Sequence, residues 1–158
     1  MTGCPPNPRT VPAAYQIGKP DCRSSQSAVA PAATNWKAKI RAEMVTEMQA
    51  CNFHGWDGEN AKALSAEAYG LAYAFLDALP DALPEPRFIA EPDGCFAFEW
   101  HKSPWRSLVV SISPDYRLYY SALLDEATDE TASGSEPFFS KIPTPVKELL
   151  LKIYSHRS

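Results

Sequence analysis

The sequence is short of long apolar runs. No stretch approaches the 18 residues that a membrane-spanning helix requires. Glycine is also scarce, at seven residues in 158, and none of them forms a G-x-G-x-x-G or P-loop pattern. That removes the backbone cradle on which phosphates are usually held. No serine stands in a G-x-S-x-G elbow, which removes one common nucleophile geometry. The N-terminus, Met1-Thr2-Gly3-Cys4-Pro5-Pro6, lacks a basic stretch followed by an apolar one, so no export signal is expected. Cys4 follows Gly3 as at a lipoprotein cleavage site, but no hydrophobic segment precedes it. Only four cysteines occur, Cys4, Cys22, Cys51 and Cys95, too few and too unevenly spaced for a disulfide framework. A cytoplasmic protein with free thiols is the expectation. The formal net charge of −4 argues against general affinity for nucleic acid or an anionic membrane surface.

Proline, by contrast, is abundant: fifteen residues, six of them before position 35. Pro5, Pro6, Pro8, Pro12, Pro20 and Pro31 forbid a continuous helix or central strand there. Residues 1–33 therefore read as a flexible arm, with Tyr15 and Ile17 as its anchors, and residues 34–158 as one domain. Apolar residues make up 45% of the chain and charged ones 22%, enough to build a core. Charge is unevenly spread. Residues 1–42 hold six basic side chains against Asp21, a balance of +5, which leaves −9 for the remainder. An acidic body with a basic arm suits a partner of mixed charge, or an arm that folds onto its own body.

Periodicity divides the domain. Over 35–52, Trp36, Ile40, Met44, Met48 and Cys51 recur at helical spacing, with Thr34 or Asn35 as cap. A second helix over 65–79 starts at Ser65, carries Ala68, Leu71, Ala72, Phe75, Leu76 and Leu79 on one side, and stops at Pro80. From residue 87 the period becomes two. Phe96, Phe98 and Trp100, then Leu108, Val110 and Ile112, then Leu118, Tyr120, Ala122 and Leu124 mark half-buried strands, with turns between them. A short strand over Arg87–Ala90 precedes them. Residues 125–137 read as a mobile acidic loop. A last helix over 145–155 begins near Thr144, a cap, with Pro145 at its first position; Lys152, His156 and Arg157 suit its negative end.

The expected fold is thus α+β: an antiparallel sheet of three to four strands, with helices packed on one face. If the helices gather there, the opposite face lies open and presents Glu99, His101, Arg117 and Tyr119. The turn adds Trp105 and Arg106, residue types common at interface hot spots.

From Trp56 onward the chain resembles a group of small uncharacterised bacterial proteins. Trp56-Asp57-Gly58-Glu59-Asn60-Ala61 is similar to their W-D-G-Y-G-A signature, and Pro92-Asp93-Gly94-Cys95-Phe96-Ala97-Phe98-Glu99-Trp100 to their P-D-G-G-x-x-L-E-W segment. The likeness covers residues 53–154. Glu59 and Asn60 stand where the group has Tyr and Gly, and Cys95 replaces the second Gly of the strand turn. No activity is known for the group, so the resemblance implies a fold and no catalytic residue. Such proteins look like accessory genes of bacteria and mobile elements, which implies antitoxin, immunity or inhibitor roles by analogy.

Candidate chemistry is sparse. Cys51 and His54 have a C-x-x-H spacing, but Cys95 and His101, which would have to complete a zinc site, lie roughly 20 Å apart on a strand at about 3.3 Å per residue. No metal and no cofactor is expected. The same separation removes a Cys95–His101 nucleophile pair. Asp57 reads as a turn former within the Trp56-Asp57-Gly58 motif. The reading favoured is a non-enzymatic protein-binding module that occludes or locks a partner protein. The alternatives are a small enzyme built on His54, Asp57 and Glu99, and a single-stranded nucleic-acid module built on Trp100, His101, Lys102, Trp105 and Arg106. Self-association into a homodimer through an edge strand stays open.

Overall fold

The computed structural model describes residues 35–155. The expected arm of residues 1–33, and with it the caps and charges at Thr34, His156 and Arg157, lies outside them. The described elements run α1 (Trp36–Ala50), α2 (Ala66–Ala78), β1 (Arg87–Ala90), β2 (Phe96–Ser103), β3 (Arg106–Ser113), β4 (Arg117–Asp125), β5 (Glu130–Pro137) and α3 (Thr144–Tyr154). The class is α+β, and the sheet is an antiparallel meander in the order β1-β2-β3-β4-β5.

Each helix begins as its sequence dictates or departs for a visible reason. The Asn35 side chain accepts from the backbone N–H groups of Lys37 and Ala38, and Ser65 Oγ accepts from Ala68 N at 3.1 Å. At α3 the cap position falls to Pro143, and Thr144 is already helical, without a side-chain capping bond. The ring at Pro145 fixes φ for the first turn, so the helix starts without a hydroxyl cap.

The core gathers the inner face of the sheet, Phe96, Phe98, Trp100, Leu108, Val110, Ile112, Leu118 and Ala122, with the apolar stripes of all three helices. Phe75 on α2 sits at its centre, 5.1 Å from the Phe98 ring and 5.7 Å from that of Phe138. Trp100 satisfies its indole N–H on Pro84 O at 3.0 Å, so its burial leaves no orphaned donor.

Lys37 of α1 is buried despite its charge. Its ammonium donates to the carbonyls of Asp77, at 3.2 Å, and Leu79, and pairs with Asp81 at 2.9 Å. A cation from α1 thus satisfies the last carbonyls of α2, where the helix dipole is negative and no basic residue of α2 itself stands. Arg41 Nη2 to Asp77 Oδ1, at 3.0 Å, ties the same two helices.

Among the described residues the sheet has five strands, not three to four. Residues 130–137, read from sequence as part of a mobile loop, form the edge strand β5, paired along its length with β4. Their sequence, Glu-Thr-Ala-Ser-Gly-Ser-Glu-Pro, has no apolar alternation because an edge strand is solvated. Its inner positions are Ala132 and Gly134. A Cβ on Gly134 would lie 2.7 Å from Tyr120 Cζ, so the tyrosine ring occupies the space that a side chain would need. The loop itself shrinks to residues 126–129, where Asp129 takes a φ of 49°.

Candidate functional site

Strand register defines the outer face, the one turned away from the core. Glu99 pairs with Val109, Val109 with Ser121, and Ser121 with Ser133. The next row toward the β2–β3 turn is His101, Ser107, Leu123 and Thr131. On the other side lies the row Ile89, Ala97, Ser111, Tyr119 and Ser135, followed by Ser113, Arg117 and Pro137. Glu99, His101, Arg117 and Tyr119 therefore share one surface, spread over four neighbouring rows on β2 and β4.

Two of these side chains are already engaged. Arg117 Nη2 donates to Ser135 Oγ at 2.9 Å, and Glu99 lies 3.9 Å from Arg87. Tyr119 stands 44% exposed, and Leu123, four residues along the same strand, 39%. Leu123 escaped the sequence reading although it has the same parity as Tyr119, and that parity was the available signal. A second exposed aromatic feature lies at the end of the sheet, where the Tyr116 and Phe139 rings meet at a tilt, their centroids 5.4 Å apart.

Trp105 is exposed at the tip of the β2–β3 turn. Arg106 is not with the others. It has the parity of Leu108 and Val110, so it points to the core side, and its Nη1 donates to Ser155 O at 2.9 Å. There it caps the C-terminal end of α3. Lys152 stands in the last turn of that helix, as its sequence suggests, and also pairs with Glu130 of β5.

The Trp56-Asp57-Gly58 motif builds a closed loop. Trp56 is buried and donates its indole N–H to Lys62 O at 2.9 Å. Asp57 Oδ1 accepts from Glu59 N at 2.9 Å and Ala61 N at 3.1 Å. Gly55 and Gly58 take φ values of 78° and 87°, a region open to glycine at no steric cost. The loop then docks on the β1–β2 turn through Lys62 N to Pro92 O at 2.7 Å.

The cysteines divide. Cys95 is a free thiol, whereas Cys51 is disulfide-bonded, which corrects the expectation of free thiols. The Cys95 thiol is pushed up to about 12, chiefly by burial and then by the negative charge of Asp93. It is protonated at neutral pH and no nucleophile. Its sulfur and carboxylate oxygens of Glu91 and Asp93 lie within 4.8 Å of one another, a grouping created by the tight turn at Gly94 and not foreseen from sequence.

A cavity of about 500 Å³ opens between β4, β5 and α3, lined by Tyr120, Leu124, Ala132, Pro145, Leu149 and others. None of His54, Asp57 or Glu99 lines it. No helix among the described residues is long and apolar enough to cross a membrane.

Comparison with protein-family models, with curated proteins and with solved structures finds no match to this chain.

Proposed function

We propose that this chain is a non-enzymatic protein-binding module that occludes or locks a partner protein through the outer face of its sheet. The observation that carries the reading is that Tyr119 and Leu123, large side chains four residues apart on one strand, stand exposed among Ser121, Thr131, Ser133 and Ser135. An apolar and aromatic centre with a polar rim is the usual anatomy of a binding patch. The class of role, antitoxin, immunity protein or inhibitor of a defence system, rests on the resemblance of residues 53–154 to accessory proteins of bacteria and mobile elements.

An enzyme built on His54, Asp57 and Glu99 has less behind it. One oxygen of Asp57 is already engaged by two loop N–H groups, and Glu99 lies on the sheet beside Arg87. The test is a titration against the partner isolated by affinity purification. Tyr119→Ala combined with Leu123→Ser lowers affinity by about tenfold or more while the unfolding midpoint is kept. Trp105→Ala, at the turn, adds to the loss. Equal affinity of wild type and the Tyr119/Leu123 double variant places the partner on another surface.

A further inference from the structure

The two edges of the sheet differ. β1 has four residues, and α1 packs against it. A short, covered edge is one way in which proteins prevent further strand pairing. β5 has eight residues and, among the described residues, no strand on its far side. In an antiparallel ladder, alternate residues of an edge strand turn their N–H and C=O groups away from the neighbouring strand. Between Glu130 and Glu136, β5 reads Thr131-Ala132-Ser133-Gly134-Ser135, with no proline, no charge and no bulky side chain. Nothing in that stretch keeps another backbone away.

The inner side of the same edge is hollow. The cavity of about 500 Å³ lies between this stretch and α3, which lines it with Pro145, Glu148, Leu149 and Lys152. Those four stand at i, i+3, i+4 and i+7, on one face of the helix. The Tyr120 ring lies against Gly134 and forms part of the lining. A strand edge beside a groove that a helix closes is an arrangement by which extended peptides add to a sheet. Backbone hydrogen bonds supply affinity, and pockets for alternate side chains supply choice.

Charge narrows the occupant. Lys152 is taken by Glu130. Glu148 is exposed at the cavity and has no ion-pair partner among the described residues. Glu136, opposite Leu118, marks the far end of the open stretch, and Glu126 and Asp129 stand in the turn before it. Lys141 and Lys147 do not line the cavity. A second copy of the chain fits poorly. Pairing β5 with itself about Ser133 sets Glu130 opposite Glu136 twice, and like charges directly opposite are destabilising.

We propose that the β5 edge accepts an extended segment of another protein, about six residues long, which places an aliphatic side chain in the β5–α3 cavity and a Lys or Arg against Glu148. The proposal concerns the edge and inner side of β5 and stands independently of the outer-face reading.

A displayed library of random peptides, each about eight residues long, selected against the full chain tests it. The enriched peptides are then synthesised and titrated by fluorescence polarisation. They combine an aliphatic residue with Lys or Arg. Methylating their backbone nitrogens at every second residue abolishes binding in one parity and spares it in the other, the mark of an added strand. Glu148→Lys weakens binding at least about fivefold. Ala132→Phe, which fills the cavity from β5, weakens it at least about tenfold. If Ala132→Phe does not fold, Glu148→Lys, whose side chain is exposed, decides. A selection without enrichment overturns the proposal, as do peptides indifferent to methylation in both parities and equal affinity for the Glu148→Lys chain. A homodimer that the peptides do not disperse gives the edge to a second copy and overturns it too.

Discussion

Lys37 gives the sharpest stability prediction. Its side chain is 10% exposed, and its ammonium faces two helix-end carbonyls and one carboxylate. Lys37→Met keeps the apolar stem and deletes only the charged donor. Leu79 O, which is buried, then loses a hydrogen-bond donor, and an unsatisfied buried acceptor costs about 1–3 kcal/mol. Asp77 O is less buried and recovers much of its loss from water. Removing a desolvated ammonium gives some of the cost back. The net expectation is a destabilisation of about 2 kcal/mol. Asp81, in contrast, is 89% exposed, so Asp81→Asn costs under about 0.5 kcal/mol, as exposed ion pairs do. Urea unfolding followed by circular dichroism, with an unchanged denaturant slope, measures both. If Lys37→Met lies within about 0.5 kcal/mol of wild type, or Asp81→Asn costs as much as Lys37→Met, the capping argument is wrong.

Three further outcomes follow from the same geometry. Asp57→Ala costs about 1 kcal/mol because two loop N–H groups lose their acceptor, while Asp57→Asn, which keeps an oxygen there, costs well under half of that in thermal melts; equal loss in both would point to a role for the charge. Gly134→Ala destabilises by about 1–2 kcal/mol through the Tyr120 ring, but in a Tyr120→Ala background it stabilises, since alanine is the better strand residue; the same sign in both backgrounds refutes the close approach. The Cys95 thiol has its folded pKa raised above the unfolded value, so its stabilisation is complete below about pH 9 and is lost as pH climbs toward 12. Between pH 8 and pH 10, wild type should lose about 1 kcal/mol more stability than Cys95→Ala in urea titrations, and parallel losses would contradict the burial of the thiol.

What could be read from the chain follows physical lines. Helix stripes and strand alternation were legible wherever an element buries one face, as at Phe96, Phe98 and Trp100. β5 was not, because an edge strand with Ala132 and Gly134 inward carries no apolar period, and its Glu130 and Glu136 read as loop. Lys37 was illegible for another reason. The carbonyls it satisfies lie 40 and 42 residues away, so only the packing of α1 on α2 gives its charge a task. Arg106 was assigned to the binding tip by residue type, whereas its parity with Leu108 sends it to the end of α3. Parity likewise placed Tyr119 outward and would have placed Leu123.

The central claim is that this fold serves to hold another protein on the outer face of its sheet. Affinity purification of the tagged chain from its native host, with nuclease treatment and native mass spectrometry, addresses it most directly. The account predicts one protein partner in fixed stoichiometry, retained after nuclease and lost from the Tyr119→Ala, Leu123→Ser variant. A chain recovered alone and monodisperse, or a complex that disappears with nuclease, would contradict it.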